Sequence, residues 1–461
     1  LFEQGNSKTN FLKTTQVNGM KVLFAIMLSL AFVLNPFINQ ANAQRSLPLV
    51  RDAEIEGLIQ DYTRPIFKAA GLRQGGVEVF LLNRNDFNAF VTGTRMFINT
   101  GAIMQAETPN EIIGVFAHET GHIIGGHLVR LRDRLEKAQV LSVLGLLAGA
   151  GAAAAGSAQG GAAIIAGSQG ATQRTLLAYQ REEELAADRA GVTLLNKTGQ
   201  SAKGMITTFK RLGKNPLFSS GRLDPYAISH PVPRQRVALL TNVAKESPHF
   251  NKKDSDSLQL RHDLARAKIA AYSGGAGLVR NLFRKNLNGI AGTYGIAISN
   301  FLSGVPRRGI PMMDKLIKKM PNNPYFHEMK GEMLLRSGKA KEAATSFSKA
   351  VKLDKRQNGL LRIQLGHALL ETNNKNNLKS AIKVLREGTS RDPYSSAGYG
   401  YLARAYGANG QQDLALAATA EARFLQGNIK QAKQFALRAQ PRIKKGSPQW
   451  LRLQDIINYG P

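Results

Sequence analysis

Thr108-Pro109-Asn110-Glu111-Ile112-Ile113-Gly114-Val115-Phe116-Ala117-His118-Glu119-Thr120-Gly121-His122 is the stretch that decides how this chain is read. Thr108 can cap a helix, Pro109 suits its first position, and Glu111 closes a capping box. Ile112, Ile113, Val115 and Phe116 supply an apolar flank, which predicts a buried helix. On such a helix His118 and His122 stand one turn apart and project from one face. Two neutral imidazoles so placed can grip one zinc ion, with Glu119 beside them to take a proton from a water that the ion acidifies. The competing reading is a pair of hydrogen-bonded core histidines. A chance His-Glu-x-x-His in a chain of this length has a probability on the order of one in a hundred. The capped, apolar-flanked helix and the acidic residues downstream favour the metal.

The 461 residues are enough for two or more domains. Cysteine is absent, which excludes disulfides, thiolate zinc sites and thiol catalysis. Lys plus Arg number 62 against 32 Asp plus Glu, a formal charge of +30 that favours anionic surfaces such as lipid headgroups. The cations are spread along the chain, tryptophan occurs once, and no nucleic-acid module is recognisable, so nucleic acid is not an expected partner.

Near the start, Met20-Lys21 reads as the beginning of a secretory signal. An apolar run from Val22 to Leu34, too short to span a bilayer comfortably, is followed by Pro36 and by Ala41-Asn42-Ala43. Cleavage is expected between Ala43 and Gln44, with an uncleaved anchor as the competing reading, and the periplasm as destination. Residues 52–70 read as an amphipathic helix. Val77–Leu82, Phe87–Val91 and Arg95–Ile98 read as strands, the last two turning at Thr92-Gly93-Thr94. Together they predict a small antiparallel sheet whose edge can receive an extended peptide by strand addition.

The motif helix is expected to continue through Gly125-Gly126-His127 to about Lys137. On an unbroken helix His127 lies about 140° around from His122, so it reads as structural or exposed rather than as a ligand. The pattern HExxHxxGxxH fails at Leu128. Residues 141–170 are rich in Ala and Gly and carry no charge. A close-packed but movable helical hairpin over the site, with membrane contact as a secondary role, is the expectation. A membrane-binding segment and a plain packed helix pair are the competitors.

Gln180 to Gly191 is helical by pattern, and Glu184 and Asp188 share its inward face with Leu177 and Leu195. A carboxylate there can be the third zinc ligand, and Asp188 can orient a ligating histidine from behind. Spacing alone leaves Glu183 in play. In Ser229-His230-Pro231-Val232-Pro233-Arg234-Gln235-Arg236, His230 precedes a new helix. It can hydrogen-bond a tetrahedral oxyanion or take the open zinc position, and Arg236 can add positive charge near that oxyanion. A simple helix start is the competing reading.

Taken in order, His118-Glu119-Thr120-Gly121-His122, Glu184-Leu185-Ala186-Ala187-Asp188 and His230-Pro231 with Arg236 resemble the zinc metallopeptidase family of the CAAX prenyl endopeptidase and HtpX. The resemblance covers about residues 44–250 through motifs. It implies a zincin-like peptidase domain, one zinc ion per subunit on His118, His122 and Glu184 (selecting Glu184 over Glu183), and a histidine at 230 that assists or regulates the site. Integral-membrane relatives carry spanning helices where this chain has 141–170. From 251 to 320 the texture is that of a helical connector, and His262 reads as helix surface. Beyond Pro321, Gly331, Ala343, Phe347 and Ala350 fall at the small and aromatic positions of a 34-residue tetratricopeptide unit. Ala381, Leu385, Pro393 and Ala415 continue it, and a helix around Trp450–Ile457 would cap the stack.

The expected fold is therefore mostly α with a small antiparallel sheet: a zincin-like domain followed by a tetratricopeptide-repeat α-solenoid. With the signal peptide and repeats, the resemblance is to a periplasmic member of the family. It implies cleavage of misassembled or stalled outer-membrane proteins, with the repeats recruiting substrate or barrel-assembly machinery. A chaperone or scaffold with a latent zinc site is the alternative.

Overall fold

The computed structural model describes residues 48–214, 230–231 and 234–460, so the upstream extension and signal peptide expected within 1–43 lie outside the described residues. The described chain begins β1 (Leu49–Val50), α1 (Ala53–Ala69), β2 (Glu78–Leu82), β3 (Ala89–Thr92) and β4 (Arg95–Asn99). Asp52 caps α1 by accepting the Ile55 N–H at 2.9 Å. Ile55, Leu58, Ile59, Tyr62 and Ile66 form its buried stripe.

The sheet has the order β1-β2-β4-β3 and is mixed, which corrects the antiparallel expectation. β1–β2 and β3–β4 are antiparallel, but β2 runs parallel to β4, with Phe80 beside Phe97. The physical reason lies in strand order, which local alternation does not encode. After β2 the chain passes the adjacent slot, forms the edge strand β3, and turns at Gly93-Thr94. It then lays β4 back into the slot it had skipped, so β2 and β4 must point the same way.

After α2 (Thr100–Gln105) comes the motif helix α3 (Pro109–Gly125). The Glu111 side chain accepts the N–H groups of Glu107 at 3.0 Å and Thr108 at 3.3 Å, so the capping box of the sequence reading is in place. Pro109 to Gly121 are buried without interruption. The helix does not reach Lys137. Gly126 adopts φ 64°, a left-handed cap, and a separate helix α4 (His127–Ala154) starts immediately after it. α4 pairs with α5 (Ala158–Lys197), and α6 (Lys203–Lys214) and α7 (Arg234–Lys245) close the peptidase part.

One hydrophobic core runs from α1 through α3 and α6 into α8 (Asp256–Leu282), α9 (Ile290–Leu302) and α10 (Pro306–Lys319). It ends in α11 (Pro324–Arg336) at Phe326, Met329 and Met333. The connector is thus packed as part of the peptidase body. Four helical hairpins follow among the described residues. α11 pairs with α12 (Ala340–Leu353), α13 (Gly359–Glu371) with α14 (Lys375–Arg391), and α15 (Ser396–Ala408) with α16 (Gln412–Leu425). α17 (Ile429–Ala439) packs on α18 (Pro448–Asn458), whose Leu453 and Ile456 seal the end as the sequence reading expected. Ala343, Phe347, Ala350, Ala381 and Leu385 are all fully buried at the crossings. This is an α-solenoid of stacked helix pairs.

Lys268 Nζ on α8 lies 2.7 Å from Asp52 and 3.4 Å from Glu54, and Tyr294 of α9 donates to Glu54 at 2.9 Å. These buried charges tie the start of α1 to the connector.

His262 is not on a surface, contrary to the sequence reading. It is fully buried between the Tyr62 hydroxyl and the Ala106 carbonyl, each at 3.0 Å. A carbonyl only accepts, so Nε2 carries the proton and Nδ1 accepts from Tyr62, which requires a neutral ring. Burial holds the His262 pKa down to about 3. Below roughly pH 6.5 the unfolded chain binds a proton that the folded chain refuses. Stability is therefore full above that pH and falls as pH drops toward 3, by at most about 1.4 kcal/mol per unit. His262→Gln, which keeps both hydrogen bonds, should flatten the acid limb of a chemical-denaturation series relative to wild type.

Candidate metal centre

Close approach of α3 and α5 builds this site. A Cβ added to Gly121 would meet the Ala187 carbonyl at 2.8 Å, so only glycine lets the two backbones cross here. The crossing places Glu184, three residues before Ala187, against the motif histidines. His118 Nε2 and His122 Nε2 are 3.0 Å apart, and Glu184 carboxylate oxygens lie 3.4 Å from each. His230 Nδ1 is 2.9 Å from Glu184 Oε1 and 3.5 Å from His118 Nε2. One ligand atom from each of His118, His122, Glu184 and His230 falls within 4.8 Å of the others. Ligand atoms about 2 Å from a tetrahedral ion are separated by roughly 3.3 Å, so this spacing is that of a coordination sphere.

The charges around the donors agree with a cation. Glu119, Glu184 and Asp188 are buried carboxylates in one pocket with the Arg236 guanidinium. Burial works against the ionised form of Glu184, yet its hydrogen bonds to His118, His122 and His230 hold the carboxyl far below its ordinary range. Burial likewise pulls both motif imidazoles down. His118 is nonetheless lifted to about 9 by Asp188 and Glu184, whereas His122 is held at about 3. A pocket that draws a proton onto one of two buried histidines is short of positive charge. Two imidazoles and a carboxylate are the donor set that holds a divalent transition metal.

Each residue singled out in the sequence has a place. Asp188 Oδ1 is 3.0 Å from His118 Nδ1, behind the ring. Glu119 is fully buried, its Oε1 3.5 Å from His230 Nε2, and neither of its oxygens has a hydrogen-bond partner among the described residues. Glu183 does not reach the site. It faces His127 at 2.6 Å and Arg130 at 2.8 Å. Arg236 is held by the carboxylates of the site. Its Nε and one terminal nitrogen grip Asp188 at 2.7 and 2.9 Å, and the other terminal nitrogen meets Glu184 at 2.7 Å and the Pro231 carbonyl at 3.0 Å. Lying also 4.6 Å over the Phe209 ring, it fixes the carboxylates from behind. Of the two prolines flanking the His230 turn, Pro233 lies outside the described residues.

His127 is the residue that the sequence reading passed over. It is buried, and its Nδ1 is 2.8 Å from His122 Nδ1. With His122 Nε2 turned into the site, His122 Nδ1–H donates to His127 Nδ1. The proton of His127 then sits on Nε2 and is donated to Glu183. The unread signal was Gly125-Gly126. Gly126 breaks the helix, and a Cβ on Gly125 would collide with the His127 ring at 2.2 Å.

Fold and site together define a metallopeptidase of the HExxH type joined to a helical solenoid. Residues 51–244 match the family model of Peptidase family M48. Across nearly its whole length it is similar to the Beta-barrel assembly-enhancing protease of Escherichia coli (strain K12). The two are 26% identical over 421 residues, 90% of this chain and 84% of that one. The Yersinia pestis protein of the same name is 24% identical over 431 residues, 92% of this chain and 86% of its own. Among solved structures, YrrB, a TPR protein with an unusual peptide-binding site, aligns with 42% of this chain and 95% of its own at 17% identity, with a TM-score of 0.30.

The His127 contact yields a direct test. His127→Leu should weaken metal retention about 10- to 100-fold in a chelator competition. His127→Gln, which can accept from His122 and donate to Glu183, should recover most of it.

Proposed function

We propose that this chain is a periplasmic zinc endopeptidase that hydrolyses peptide bonds in misassembled or stalled outer-membrane proteins. In this reading residues 44–250 cleave, 251–320 connect, and 321–461 recruit substrate or barrel-assembly machinery. One observation carries it: His118, His122 and Glu184 converge on a common point beside a buried Glu119 that makes no hydrogen bond among the described residues. Zinc bound by those three residues supplies Lewis-acid polarisation of a carbonyl and acidifies water.

Glu119 is the general base. It takes the proton of the attacking water and passes it to the leaving amine. Burial raises its carboxyl above the ordinary range, the direction suited to a group that must hold a proton between two steps. His230 stands between Glu184 and Glu119, where it can hydrogen-bond the oxyanion or fill the fourth ligand position at rest. Arg236 acts through Asp188 and Glu184, holding Asp188 against His118. Among the described residues β3 is one edge of the sheet and packs against α3, so a peptide added to it as a strand would run beside the motif helix. The names of the relatives, proteases that enhance β-barrel assembly, support the substrate class and the envelope location.

Glu119→Gln should retain its zinc and lose about 10²- to 10⁴-fold in cleavage of an unfolded polypeptide. Metal analysis alongside a peptide-release assay reads both. Wild-type cleavage by that variant would reject the mechanism. Full cellular function with no cleavage would instead favour a scaffold.

A further inference from the structure

α4 and α5 form an antiparallel pair whose far half is free of charge. From Ala138 to Gln173 there is no Asp, Glu, Lys or Arg, and the first charged residue on each arm is a cation, Lys137 or Arg174. Backbone approach, not a core, holds the arms together. A Cβ on Gly149 would lie 2.7 Å from the Gly161 carbonyl, and one on Gly161 would lie 2.4 Å from that of Gly149. Small residues at a crossing are how helices associate where solvent supplies no hydrophobic drive. The large side chains meanwhile point outward. Val140, Leu141, Val143, Leu144 and Leu147 are between 56 and 61% exposed. Among the described residues, α4 is the one helix long and apolar enough to cross a membrane, by length and composition.

We propose that this hairpin docks the protein on a bilayer leaflet bearing anionic headgroups. The uncharged arms enter the lipid, and the cations at their base pair with phosphates. From Ala138 to Ala154 the α4 arm is about 25 Å long at ~1.5 Å per residue. That is short of the ~30 Å hydrocarbon core, so the hairpin enters and turns back at Ala155-Gly156-Ser157 without emerging. Two of its hydroxyls are satisfied internally, Ser142 donating to the Ala138 carbonyl and Ser168 to that of Ile165. At the base, Arg132, Arg134, Lys137 and Arg174 outnumber Asp133 and Glu136, and Asp133 is already paired with Lys137 at 2.9 Å. The Arg134 guanidinium lies 5.2 Å over the Tyr179 ring, and tyrosine is enriched at the headgroup level. Charge complementarity therefore selects a lipid surface over a second apolar protein face. The inference stands whether or not the site cleaves peptides.

Flotation of the full chain with vesicles tests it, comparing phosphatidylethanolamine–phosphatidylglycerol with phosphatidylcholine alone, at low and high salt. Wild type should float with the anionic vesicles, and less at high salt. L144E/L147E should stay at the bottom of the gradient, with its metal content and circular dichroism unchanged because both side chains are exposed. K137A/R174A should bind more weakly by roughly fivefold per cation removed. The proposal is overturned if wild type does not float with anionic vesicles, or if L144E/L147E floats equally well. It is also overturned by a lipid-free dimer, seen in light scattering, that L144E/L147E dissolves, for the hairpin's partner is then a second copy.

Discussion

Asp188 lies fully buried between an arginine and a histidine, and the site depends on that placement. Arg236 grips it from one side while His118 Nδ1 lies 3.0 Å away on the other. The pair orients His118, and the same guanidinium reaches Glu184. A carboxylate removed from water is costly unless it is paired and hydrogen-bonded, and here one guanidinium serves two of them. Glu119 makes no hydrogen bond among the described residues, and His230 Nε2 stands 3.5 Å from it. The pocket therefore folds with more negative than positive charge. Residues held in that imbalance are suited to a divalent cation, and binding one would feed back on the stability of the fold.

That imbalance needs α3 and α5 to touch at backbone distance. Gly121 on α3 permits it, and Gly191 repeats the approach one turn on, where a Cβ would stand 3.3 Å from the His118 nitrogen. Bulk at either position would push Glu184 and Asp188 away from the histidines. Two glycines with no chemistry of their own thus set the distance between donors more than sixty residues apart in the chain.

Much of this was legible in the sequence because it is local. The spacing of His118 and His122, the capping box at Thr108, and the shared face of Glu184 and Asp188 follow from helix geometry. So do the small residues at Ala343, Ala350 and Ala381, which mark helix crossings in any stacked array. What could not be read depends on direction after a break or on distant partners. Periodicity carried the motif helix through Gly126, and an unbroken helix turns His127 away from His122. The left-handed cap re-aims it toward that ring. The parallel pairing of β2 with β4 follows from strand order rather than alternation. His262 occupies a polar pocket made by Tyr62 and Ala106, far upstream in the chain, which no local pattern around it announces.

α5 carries both the hairpin and the site, and this gives the docking geometry a consequence. Lys137 is ten residues beyond His127 on α4, and Arg174 is ten residues before Glu184 on α5. In the proposed docking, the α5 arm would set Glu184, and the α4 arm the His127 that contacts His122, about 15 Å from the headgroup level, at ~1.5 Å per residue. The two estimates agree because the arms are antiparallel and in register. An extended chain covers ~3.3 Å per residue, so a polypeptide leaving the lipid would present its first cleavable bond only about five residues out. In the function proposed above, segments of a barrel already inserted would lie below that height, and segments still extended outside it would lie within reach. Height above the membrane alone would then separate a stalled substrate from a finished one, with no need for the site to read its sequence.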